Sequence, residues 1–272
     1  MMVKLGLKSS ANFEQLQSRL KYKPTVFEFH TSEQDFTKEG LKVLEEGIQL
    51  AKASGVQQIV LHHPMFYKGQ MLELVAKPSI HKELVTFIDR LTENLLDLAY
   101  LHNCQVLVHG SYEIQMQQFL DDYSSLAEAT DFLWQKLDAF QALGKDKIMF
   151  ENSISPLFYF GEEEMDKEIY ARNYRLAYDV SHAFIKLQGN QTALEQSLAF
   201  LREHIVHYHL VDSMGKEHDS LTLGQGKIDW APILPLLNPS ASSIYEIHLA
   251  DLLDPKEQLE SHSYLEQLKG LG

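Results

Sequence analysis

Leu176-Ala-Tyr-Asp179 is a short apolar run closed by a carboxylate, and Ile205-Val-His-Tyr-His-Leu210 is a second run of the same kind. Between them, Thr192–His204 reads as an amphipathic helix. Two parallel strands need a crossover of about a dozen residues or more, usually helical, so the stretch reads as one βαβ unit. The same alternation extends in both directions. Further apolar runs stand at Val3–Leu7, Thr25–Phe29, Gln58–His62, Gln105–Val108, Lys147–Glu151 and Ser243–His248. Helical stretches lie at Lys38–Ser54, from Pro78-Ser79 to about His102, and at Ser125–Leu143, Glu162–Ala171 and Pro255–Leu268. Eight strands alternating with helices predict an α/β protein, a single (β/α)8 TIM barrel occupying residues 1–272. A doubly wound open sheet is the other arrangement of such units, but no G-x-G-x-x-G follows any run.

Composition narrows the class of function. A chain of 272 residues can bury a large core without staples. Its 38 acidic against 24 basic residues give a net charge of −14, which argues against a general nucleic-acid partner. Cys104 is the single cysteine, so an intramolecular disulfide and a cysteine-built zinc or iron–sulfur site are excluded, and a reducing cytoplasm is the expected setting. The N-terminal segment Met1–Lys8 lacks the apolar stretch of a signal peptide, and no run approaches a membrane span.

The chemistry sits at the ends of the strands. His62 and His63, His109, Glu151, Asp179 with His182, His207 and His209 with Asp212, and Glu246 with His248 all fall at or just beyond the ends of runs. In a parallel barrel these ends converge on one face. Glu151 in Ile148-Met-Phe-Glu, Asp179 in Ala177-Tyr-Asp-Val and Glu246 in Ile244-Tyr-Glu-Ile are carboxylates inside apolar runs. Burying them is costly unless they are paired or bound to a cation. A divalent metal (Mn, Mg, Co or Zn) accommodates three acids and several imidazoles at one barrel mouth. Tyr67, Phe158, Tyr159 and Phe160 fall in loops expected on that face, where they either shield a substrate or simply pack.

Asp179-Val-Ser-His-Ala183, His207-Tyr-His-Leu-Val-Asp212, Leu223-Gly-Gln-Gly-Lys-Ile-Asp-Trp230, Phe150-Glu-Asn152 and Tyr245-Glu-Ile247 together resemble the motifs of the xylose-isomerase-like TIM-barrel superfamily, in the same order. That group contains sugar isomerases, epimerases and endonuclease IV. The resemblance implies one metal held by Glu151, Asp179, His209 and Glu246, with Glu151 and Glu246 also serving as the acid–base pair. It implies isomerisation or epimerisation of a small sugar or sugar-derived hydroxyketone through a metal-stabilised enediolate. His182 would bind a substrate oxygen, as could His207 or His218. Val211 stands where many isomerases have a lysine, so that cationic contact is missing.

An endonuclease IV-like, zinc-dependent phosphodiesterase acting on abasic DNA is the alternative. On that reading His62, His109 and His182 join Glu151, Asp179, His209 and Glu246 as zinc ligands. The order Glu217-His218-Asp219 does not reproduce the nuclease D-x-H pair. A sugar-binding member without catalysis is a third reading, which intact Glu151 and Glu246 oppose. The resemblance also allows a homo-oligomer, since dimers and tetramers recur in that group.

Overall fold

The computed structural model describes residues 3–270; the two residues at either end of the expected unit lie outside them. Eight strands form one sheet: β1 (Gly6–Ser9), β2 (Val26–His30), β3 (Gln58–His62), β4 (Gln105–His109), β5 (Ile148–Glu151), β6 (Leu176–Asp179), β7 (Ile205–His209) and β8 (Ser242–Ile244). They pair in sequence order and all in parallel. The sheet curls until β8 meets β1. At that seam a Cβ on Gly6 would sit 1.8 Å from the carbonyl oxygen of Ser243, so no larger residue fits. The barrel expected from the alternation is the one observed.

Helices cover the outside. Lys38–Ala53 starts at Thr37, whose hydroxyl accepts from the backbone N–H of Gly40, and turns Leu44, Gly47, Ile48 and Ala51 inward. Gly47 lies against the Phe29 ring on the outer face of β2, where an added Cβ would be 3.3 Å away. The main core lies between barrel and helices and includes Trp134 and the fully buried Phe158 and Phe160. Those two loop phenylalanines therefore pack rather than shield a substrate.

Of the boundaries that differ from the sequence reading, three bear on packing or on the site. The third long helix begins at Lys82 rather than Pro78, because the N–H groups of Ile80 and His81 both turn back to the Lys77 carbonyl. Strand β1 begins three residues later than Val3, which puts Lys8 inside the barrel wall. Strand β8 stops at Ile244: the Tyr245 carbonyl accepts from Gln258 Nε2 and the His248 N–H donates to the Ser220 carbonyl, so the chain leaves the ladder there. Glu246 consequently sits on a loop at the mouth. Four short helices, Phe13–Leu20, Met116–Leu120, Val180–Lys186 and Trp230–Ile233, add to those read from the sequence. No helix of the described residues is long and apolar enough to cross a membrane.

Candidate metal centre

Strand periodicity sorts the barrel interior into layers. Val60, Leu107, Met149 and Ala177 form an apolar plug inside the barrel. Two residues further along the same strands stand His62, His109, Glu151 and Asp179, on the same face one layer nearer the mouth. Strand register places Glu151 beside His109 and Asp179 beside His209.

The four ligands implied by the resemblance come together. Ligand atoms of Glu151, Asp179, His209 and Glu246 all lie within 4.8 Å of one another. His209 Nδ1 is 2.8 Å from Glu151 Oε1 and 3.9 Å from Asp179 Oδ2, and it also contacts Glu246 Oε2. Glu151, Asp179 and His209 are buried, whereas the Glu246 side chain keeps 31% exposure toward the mouth.

Surrounding groups fix each ligand's orientation. Asp179 caps the helix Val180–Lys186: its Oδ1 accepts from the N–H of His182 and the hydroxyl of Ser181, which leaves Oδ2 for the centre. Asn152 clamps the Asp179 backbone by exchanging two hydrogen bonds with it. His209 Nε2 lies 3.0 Å from Glu28 Oε2; a carboxylate only accepts, so Nε2 carries a proton and Nδ1 is the nitrogen turned to the centre, where a cation would take the place of its proton. His62 Nδ1 donates to the His63 carbonyl at 2.6 Å, which frees Nε2, and His182 Nδ1 donates to the Asn152 carbonyl at 2.9 Å.

These residues suit a cation. Both oxygens of Glu151, Nε2 of His62 and Nδ1 of His209 are buried, and none makes a well-aligned hydrogen bond among the described residues. Their lone pairs converge on shared space rather than on a proton. Burial alone would push His209 down, yet the carboxylates of Glu151, Glu28 and Glu246 raise it well above the usual imidazole value. The Nδ1 position is thus built for positive charge. Burial would likewise raise Glu151, but His209, by its charge and its hydrogen bond, holds it well below the carboxylate range. His109 is pushed down to about 3, chiefly by burial, and so is a neutral imidazole at pH 7, as a ligand must be.

A second triplet adjoins the first. His62, His109 and Glu151 offer ligand atoms within 4.8 Å of one another, with His62 Nε2 and His109 Nε2 at 3.3 and 3.0 Å from Glu151 Oε2. Glu151 is shared by both groups. His182 stands beside them, and the exposed His218 reaches its ring at a centroid distance of 4.9 Å.

Two residues take other places. His207, offered as a substrate or second-metal contact, is fully buried one layer below the mouth, between Glu28 Oε2 at 3.1 Å and Ser242 Oγ at 2.6 Å, and groups there with Glu28 and His209. Strand period puts it on the same face as His209 but two residues deeper. Asp212 is taken up by structure: it accepts from the N–H groups of Ser213, Gly224 and Ile228 and from Trp230 Nε1. The Leu223–Trp230 segment is wrapped on this carboxylate, so closely that a Cβ on Gly226 would lie 2.2 Å from Asp212 Oδ1.

Sequence reasoning missed Glu28 and Lys8. Glu28 binds His207 and His209 from below, while Lys8 Nζ is 2.9 Å from Glu28 Oε1 and contacts Glu246 Oε1. Lys8 thus supplies a cation at the mouth although Val211 does not. Burial opposes its charge, but Glu246, Glu28 and Glu151 outweigh this and raise it above the usual lysine value. The signal for Glu28 was present, since it is a carboxylate within the apolar run Val26–Phe29. The mouth opens into a cavity of about 600 Å³, whose lining includes Lys8, His62, His109 and Glu246 together with Arg19, Leu252 and Gln258.

A search of curated protein sequences gave no match. Solved structures share the fold. A D-tagatose 3-epimerase-like protein superposes with a TM-score of 0.71 at 18% identity, covering 99% of this chain and 98% of that one. The TTHB071 protein from Thermus thermophilus, solved after soaking with ZnCl2, gives 0.65 at 17% identity over 100% and 99% of the two chains. D-psicose 3-epimerase with D-tagatose, from Clostridium cellulolyticum, gives 0.64 at 13% identity over 98% and 99%. The sequence profile of the xylose isomerase-like TIM barrel matches residues 27–262. Together with the eight-stranded parallel barrel, that match establishes that the chain belongs to the xylose isomerase-like TIM-barrel family.

Proposed function

We propose that this protein is a divalent-metal-dependent isomerase or epimerase of a small sugar or sugar-derived hydroxyketone. One observation carries the reading: two carboxylates, Glu151 and Glu246, meet at one imidazole beneath a cavity large enough for a sugar. A cation held by Glu151, Asp179, His209 and Glu246 would stabilise negative charge developing on a substrate oxygen. Glu246 faces the cavity and Lys8 keeps it ionised: burial would raise its carboxyl, but Lys8 and His209 hold it well below the usual range. On this reading it would take the proton from the carbon beside the carbonyl. Glu151, the second carboxylate of the pair, would on the same reading return to the enediolate a proton that it first takes up from solvent. His182, with Nδ1 committed to the Asn152 carbonyl, has Nε2 free for a substrate hydroxyl. The epimerases among the structural relatives agree with this reading.

The second reading, a zinc-dependent phosphodiesterase, is favoured by one feature, the His62–His109–Glu151 triplet beside the first group. The net charge of −14 weighs against DNA as its partner.

The test is solvent exchange. Purified protein is incubated with a panel of small ketoses in D2O, and deuterium at the carbon beside the carbonyl is read by mass spectrometry. Metal per chain is counted on the same sample. Incorporation that falls by about 10²-fold or more in Glu246→Gln is expected. Exchange at the wild-type rate in that variant removes the proton-transfer role. No exchange with any sugar, together with two or more zinc ions per chain and cleavage of abasic DNA, replaces the isomerase reading by the second.

A further inference from the structure

We propose that the Arg19 end of the cavity is an oxyanion subsite, which seats a carboxylate or phosphate group at the far end of a substrate whose other end reaches the metal centre. The identity of that other end rests on the isomerase reading; the subsite itself does not.

Two cations border the cavity, and they differ in one respect. Lys8 is saturated by Glu28 and Glu246. Arg19 is 1% exposed and has no carboxylate within ion-pairing distance among the described residues; Asp251 and Asp254 act on it only at longer range. A buried guanidinium without a counter-charge is expensive. It is also a deliberate placement in a chain carrying a net charge of −14, where acidic partners are abundant.

The guanidinium is held on one edge only. Nη1 donates to the Leu252 carbonyl and to Ser18 Oγ, with the Gln15 carbonyl 3.5 Å away. Nε is buried and has no acceptor. A second orphan faces the same cavity: Gln258 is 2% exposed, its Nε2 donates to the Tyr245 carbonyl, and its Oε1 has no donor. Both residues line one cavity, and an unpaired cationic donor together with an unpaired neutral acceptor matches an oxyanion that carries a hydroxyl. Arginine is the side chain whose planar fork suits carboxylate and phosphate oxygens. Acidic sugars and sugar phosphates share this chemistry, and a neutral sugar does not.

The probes are inorganic phosphate, D-glucuronate and D-glucose, titrated by calorimetry into the protein as purified with its metal. At least one of the two anions is expected to bind more tightly than D-glucose, and Arg19→Gln is expected to weaken that anion tenfold or more, the scale of a lost charge-assisted hydrogen-bond pair. Arg19→Lys keeps the charge without the fork and is expected to weaken it by a smaller factor; it replaces the glutamine variant if that variant does not fold. Dependence on Arg19 for phosphate alone identifies a phosphate ester, and for glucuronate alone a sugar acid. Equal anion binding in wild type and variant, or no anion binding at all, overturns the subsite. The two ideas have separate readouts: solvent exchange reports the isomerase, and the Arg19 dependence of anion binding reports the subsite. Arg19-dependent binding in a protein that exchanges no sugar removes the isomerase reading and keeps the subsite.

Discussion

Replacing Asp212 by Asn tests the view that this carboxylate is an anchor and not a ligand. Its two oxygens each serve two donors: Oδ1 accepts from Ser213 N at 2.8 Å and Ile228 N at 3.2 Å, and Oδ2 from Gly224 N at 2.8 Å and Trp230 Nε1 at 3.3 Å. An amide has one oxygen and one NH2 group. Whichever way it turns, two of the four donors lose their acceptor and meet a donor instead. A hydrogen bond to a charged group contributes about 1.5–3 kcal/mol, so the direct loss is about 3–6 kcal/mol. The loop can relax because it is partly exposed, so the lower figure of about 3 kcal/mol is the expected cost. For a domain of this size that lowers Tm by about 6–12 °C. Thermal melts followed by circular dichroism read it directly, with metal content measured on the folded variant. A Tm within about 2 °C of wild type would refute the anchoring argument. A large loss of bound metal with an unchanged Tm would show instead that Asp212 serves the centre.

Three further outcomes follow from the same structure. Glu28→Gln leaves every metal ligand in place but weakens the acceptor that orients His209, so metal affinity should fall about 10–100-fold in a chelator competition, and an unchanged affinity would mean His209 needs no support from below. Asp166 is buried and its carboxyl is pushed up to about 6 from 3.8, first by burial, against a hydrogen bond from Gly161 N. The folded state therefore holds that proton more tightly than the unfolded state, and the site loses stability as pH rises from about 4 to 6; Asp166→Asn should be more stable than wild type at pH 7.5 and lose that advantage at pH 4.5, whereas an equal difference at both values would contradict the shift. The Cys104 thiol is buried and pushed up to about 11, so at pH 8 a disulfide reagent should label it only as fast as the protein unfolds, and prompt labelling of the native protein would contradict its burial.

The fold was legible because parallel strands buried on both faces read as short apolar runs, and the helices between them keep helical spacing. The primary site was legible for the same reason. Glu151 and Asp179 are charges in places where apolar residues are the rule, and such charges require a partner. Depth inside the barrel was not legible. His207 and His209 share a face by period two, but the sequence does not say which one reaches the mouth. Lys8 escaped because its position depends on where β1 begins, and a shift of three residues decides whether it lies in the wall. Asp212 stands three residues beyond His209 and looks like a ligand in one dimension. The glycines that close on it show its role only when the chain is folded.

The seam at Gly6 and Ser243 also sets a timetable. Lys8 and Glu246, which touch across the mouth, are separated by 238 residues, nearly the whole chain. At ordinary rates of protein synthesis, Lys8 is made roughly 10–50 s before Glu246. Throughout that interval β1 offers a bare strand edge, and Lys8 has only Glu28 for company. The group formed by Glu151, Asp179, His209 and Glu246 is therefore a property of the nearly finished chain, complete only once the loop beyond β8 has been made.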